Sequence, residues 1–156
     1  MKVHNQVEAL ASSGARWSLA LLAATAIAGE APAAATVAEA PAADPPSITY
    51  LLYCGGCHLR DGSGTPPEVP TLHSQPGIIE AMPGGRDYLI RVPGAAHAPM
   101  TDRELASVTN YLLETFSSDT LAEDFQPYTA AEVAGYRRNI LADPLARRAE
   151  ILSKAR

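Results

Sequence analysis

The chain has 156 residues, a formal net charge of −5, and two cysteines. That length holds one small domain with appendages. The acidic balance argues against a nucleic-acid partner, and a single cysteine pair leaves a closed four-ligand zinc site unsupplied.

In chain order, Met1 to Arg16 carries Lys2 and Arg16 against one acid, Glu8, and is followed by the uncharged apolar run "WSLALLAATAIA" at 17–28. Ala26 and Ala28 give the small-x-small pattern of a cleavage site, so residues 1–28 are expected to be a secretory signal peptide. The apolar run falls short of the roughly 20 residues that span a bilayer. No later stretch is more apolar, so no stable membrane span is expected after cleavage. Residues 29–46, "GEAPAAATVAEAPAADPP", form an Ala/Pro-rich tether. The remainder after cleavage has 10 basic and 16 acidic residues.

"SITYLLY" (47–53) is apolar and aromatic, with Ile48, Leu51 and Leu52 at helical spacing and Ser47 as the expected N-cap. It leads into "CGGCH", which holds Cys54 and Cys57 with His58 directly after them. A disulfide across C-x-x-C would close a loop too small to stabilise much. A thioredoxin-like use needs a βαβ setting that the chain lacks. C-x-x-C-H is the covalent attachment pattern of a c-type haem: two thiols one helical turn apart each form a thioether to one porphyrin, and the next residue offers its imidazole to the iron. "DGSGTPP" (61–67) then stops the helix.

"GRDYLIRV" (85–92) is a short helix candidate that Pro93-Gly94 ends. "TDRELASVTNYLLETF" (101–116) carries Leu105, Val108, Leu112 and Leu113 as an apolar stripe. Thr101 and Glu104 open it as a capping box. Beyond it, Thr129 and Glu132 form a second capping-box pair, and Asp143-Pro144 starts a further helix. Residues 128–156 have a net charge of +3 and residues 101–127 a net charge of −5. We therefore expect the tail to pack back on its acidic neighbour, with a partner-docking element as the alternative.

On these landmarks the chain resembles class I cytochromes c over about residues 47–116. The matching features are a first helix leading into Cys54-Gly55-Gly56-Cys57-His58, Val69-Pro70 after a glycine-rich turn, and a last helix carrying Tyr111. The resemblance implies an all-α fold of short helices around one covalent haem c. The first and last helices would pack together through Tyr50 and Tyr111, and the Pro70 carbonyl would orient His58. Leu59 departs from the family, where a glycine commonly follows the haem histidine. The haem domain is expected over 47–117, with a helical extension over 118–156 whose removal from 128 onward leaves the haem site intact. A domain of this size has a marginal core of its own, so the apoprotein is not expected to fold stably.

The sixth iron ligand has three candidates. Met100 directly precedes the Thr101–Glu104 box, which makes it a staple residue against Leu105. We therefore place His97, in the loop "PGAAH", slightly ahead of Met100, with Met82 behind both. Arg86 and Arg91 flank the 85–92 helix as candidate haem-propionate partners, against the plain reading of solvated surface arginines. A filled sixth site implies a one-electron carrier rather than an enzyme. The expected setting is the periplasm, with a dehydrogenase as donor and an oxidase or another cytochrome as acceptor. A dedicated dehydrogenase subunit, or a gas- or peroxide-reactive haem protein, is the alternative.

Overall fold

A computed structural model of the chain describes residues 44–155; the expected signal peptide and most of the tether lie outside them. The described residues form eight short helices and one isolated antiparallel bridge, Thr65–Val69. The expected all-α class holds. None of these helices is long and apolar enough to cross a membrane.

Helix α1, Pro46–Tyr53, starts two residues earlier than the expected cap at Ser47 implies. Pro45, not Ser47, occupies the cap position, and Pro46 sits at N1, where its missing N–H is one the helix leaves unpaired anyway. Cys54 interrupts the helix, and α2, Gly55–His58, carries the rest of the attachment motif. Two further helices, α3 (Gln75–Glu80) and α5 (Pro93–Ala96), lie outside the expected elements; segments this short show no period. Between them α4, Gly85–Arg91, matches the expected helix. Pro93 both follows α4 and opens α5 at its N1 position.

Helix α6, Asp102–Phe116, carries the full capping box at Thr101 and Glu104. Helix α7, Ala130–Tyr136, has only half of the expected one. The Thr129 hydroxyl accepts from the Glu132 amide, but the Glu132 carboxylate pairs with Arg86 instead of turning back to the cap. Helix α8, Pro144–Ser153, starts as expected, with Asp143 accepting from the Ala146 amide at 2.9 Å.

Helices α1 and α6 pack together. The Tyr50 ring lies 6.0 Å from Tyr111 and 5.2 Å from Phe116, centroid to centroid, within the range of favourable aromatic pairs. Leu105, Val108 and Leu113 are buried on α6. On α1, by contrast, Ile48 and Leu52 are exposed, and the buried positions are Thr49 and Tyr50. The main core joins Tyr50, Leu72, Ile90, Met100, Leu105 and Val108 to Tyr128 and Val133 of the extension. A second cluster joins Ile79 and Tyr88 to Ile151 of α8. Both cores therefore continue past residue 117, and the described residues all fall in one compact unit.

Candidate haem site

The Cys57 and His58 amides both bond back to the Cys54 carbonyl, at 3.1 and 2.9 Å. This single turn sets the two thiols one helical turn apart. Both are free; Cys54 is half-buried and Cys57 exposed. Burial, with a smaller contribution from Cys57, pushes the Cys54 thiol up to about 11. A redox dithiol depends on the opposite shift, so the pair is poorly suited to disulfide exchange.

His58 Nδ1 lies 3.1 Å from the Pro70 carbonyl oxygen. A carbonyl can only accept, so Nδ1 carries the proton and Nε2 keeps its lone pair for a metal. Burial lowers the His58 pKa, partly opposed by the Pro70 bond, and keeps the imidazole neutral at pH 7. The Pro70 carbonyl is itself held from both sides. The Thr65–Val69 bridge closes the preceding loop, while the Ser117 hydroxyl donates to the Leu72 carbonyl at 2.7 Å. Gly64, at φ +68°, passes so close beneath that a Cβ there would stand 2.8 Å from the Pro70 oxygen.

Leu59 takes φ 57° and ψ 169°, a region that is close to glycine-only. The turn after the histidine thus keeps a glycine-like conformation despite the leucine. The Tyr50 hydroxyl donates to the Leu59 carbonyl at 2.6 Å, tying the turn to α1.

The three candidate sixth ligands are placed differently. Met100 is buried, 7% exposed, in the same cluster as Tyr50 and Leu72. His97 is exposed. Met82 belongs to the other cluster, beside Ile151. The preference for His97 over Met100 gains no support from these positions. The staple geometry that counted against Met100 does not turn it outward; it packs in one cluster with Leu105.

Arg86 and Arg91 are engaged away from the motif. Arg86 binds Glu80 and Glu132 at 2.5 and 2.8 Å, donates to the Gln126 carbonyl, and stacks 4.1 Å from the Tyr128 ring. Arg91 binds Asp87 at 2.6 Å and donates to the Asn139 carbonyl. Most of these partners lie 40 or more residues away in sequence, and no local signal announces them. A third arginine, Arg137, is equally silent in the sequence. It donates to the carbonyls of Ala96, Ala98 and Met100.

No protein-family model matches the chain. Cytochrome c-552 of Thermus thermophilus is 31% identical to it over 102 residues, covering 54% of this chain and 78% of the relative. The chain belongs to the class I cytochromes c. A second cytochrome c-552 of the same species matches at 31% identity over 102 residues, with 69% of that protein covered. This cytochrome carries covalently bound haem c with iron, and its own residues suit that group. Two unpaired thiols stand one turn apart, a neutral histidine is fixed in the tautomer that frees Nε2, and a buried thioether lies in the adjoining core. These are the donor types of a His/Met c-type site.

Proposed function

We propose that this electron-transfer cytochrome is an exported one-electron carrier. Cys54 and Cys57 would be its thioether anchors, and His58 and Met100 its axial ligands. The observation that carries the reading is a tautomer-fixed His58 together with a Met100 buried in the cluster against which Cys54 packs. When bound, haem c supplies a one-electron Fe(III)/Fe(II) couple, and a methionine ligand raises its potential.

The chain's own residues do the rest. Pro70 holds the His58 proton at Nδ1 and keeps the ring oriented. Tyr50 fixes the turn that follows. Because Met100 fills the sixth position in this reading, no substrate reaches the iron, and the protein acts as a carrier rather than an enzyme. The acidic surface suits periplasmic redox proteins as partners, with a dehydrogenase donating and an oxidase or another cytochrome accepting, and does not suit nucleic acid. The basic extension packs on its own chain, with Arg137 paired to Asp102 at 3.1 Å. This favours a free carrier over a subunit docked through that tail.

Two experiments test the reading. Cys57→Ala should lose normal covalent haem on a haem-stained gel. Met100→Ala should turn the ferric spectrum high-spin and admit carbon monoxide to the ferrous protein, while His97→Ala keeps a native low-spin spectrum. Wild-type haem staining in the first variant, or the reverse pattern in the second pair, overturns it.

A further inference from the structure

The segment that carries Met100 runs from the end of α5 to the cap of α6. Its carbonyls at Ala96, Ala98 and Met100 all meet one guanidinium. Arg137 Nε donates to Ala96 O at 2.9 Å, Nη1 to Met100 O at 2.7 Å, and Nη2 to Ala98 O. Nη1 also reaches Asp102 at 3.1 Å, the first residue of α6. Arg137 stands at the C-terminal end of α7, a helix anchored without its help. Val133 is fully buried in the main core, and Glu132 is bound to Arg86. The donor therefore projects from a fixed base onto a segment whose own backbone bonds are all local, each spanning four residues or fewer. Only arginine presents planar, divergent N–H groups that can span three carbonyls; a lysine offers one point of charge.

We propose that Arg137 is a positioning residue for the sixth iron ligand: the C-terminal extension, through this one side chain, latches the Met100 segment closed. The inference rests on Met100 as that ligand. With the latch, the thioether is held against competing ligands by a segment that cannot swing away. Without it, the segment opens more often, and an added ligand gains affinity in proportion to the open fraction.

The test is imidazole titration of the ferric holoprotein, full chain, followed by loss of the red charge-transfer band that methionine ligation gives. Arg137→Gln should raise imidazole affinity about tenfold or more, since several charge-assisted bonds are removed at once. Arg137→Lys keeps the charge opposite Asp102 but not the three-carbonyl reach, and should behave like the Gln variant. Ile151→Ala, in the second cluster rather than the one that holds Met100 and Val133, should lower the thermal midpoint and leave imidazole affinity at the wild-type value. Wild-type affinity in both Arg137 variants, or an equal rise in Ile151→Ala, overturns the latch while Met100 stands. A Met100→Ala protein that keeps the charge-transfer band overturns the ligand assignment and the latch together.

Discussion

The Tyr50 hydroxyl donates to the Leu59 carbonyl at 2.6 Å, reaching from the middle of α1 over the whole attachment motif. Burial pushes this phenol up to about 12, so it remains a donor throughout the neutral range. Tyr50→Phe keeps the ring contacts with Tyr111 and Phe116 and removes only the bond. The expected loss is about 1 kcal/mol, measured as a lower denaturant midpoint at unchanged slope.

Leu59 itself is held where a side chain is unwelcome, at φ 57° and ψ 169°. Such a conformation costs on the order of 1–3 kcal/mol, and 44% of this leucine is exposed, so its removal sacrifices little burial. Leu59→Gly should stabilise the protein by about 1 kcal/mol, after the larger unfolded-state entropy of glycine is subtracted. A lower thermal midpoint in that variant would show that the leucine's contacts outweigh the strain.

Gly64 is the opposite case. At φ +68° an added Cβ would stand 2.6 Å from the Val69 oxygen and 2.8 Å from the Pro70 oxygen. Gly64→Ala should cost about 2 kcal/mol or more in strain and displacement. Because the displaced oxygen is the His58 acceptor, the His58 Nδ1 proton should also exchange faster with solvent by NMR.

Removal of residues 128–156 should not be silent. Tyr128, Val133 and Ile151 are buried, and Tyr88 and Ile79 lose their partner in α8. Each large buried side chain contributes about 1.5–3 kcal/mol, so the sum approaches the whole stability of a small domain, about 5–15 kcal/mol. Little folded holoprotein should accumulate. A truncated protein with the native spectrum and thermal midpoint would show that residues 44–127 fold alone.

Arg86 gives the fold an acid-sensitive tie. Its hydrogen bonds hold the Glu132 carboxyl below the ordinary carboxylate range. A carboxylate with a depressed folded-state pKa contributes stability above its unfolded-state pKa and loses it as pH falls through the folded value. Unfolding midpoints should therefore drop as the pH is lowered below about 5. Glu132→Gln should be less stable at pH 7, by about 1 kcal/mol, and show a shallower acid decline.

Much of the candidate site was legible because its logic is local. Cys54, Cys57 and His58 lie within one turn, and their chemistry follows from spacing alone. The Thr101–Glu104 box and the Asp143-Pro144 start are likewise contacts across three residues or fewer. The tertiary structure decided what depends on which side of a segment meets the core. His97 and Met100 are three residues apart and both carry iron-binding atoms, yet only Met100 packs inward, a choice made by the turn of the backbone between them. Arg86, Arg91 and Arg137 are alike as surface cations in the sequence. Their roles come from partners 40 or more residues distant, such as Glu132, Asn139 and the Ala96 carbonyl. A side chain's local periodicity carries no information about such a partner, because the distance between them is set only when the helices pack.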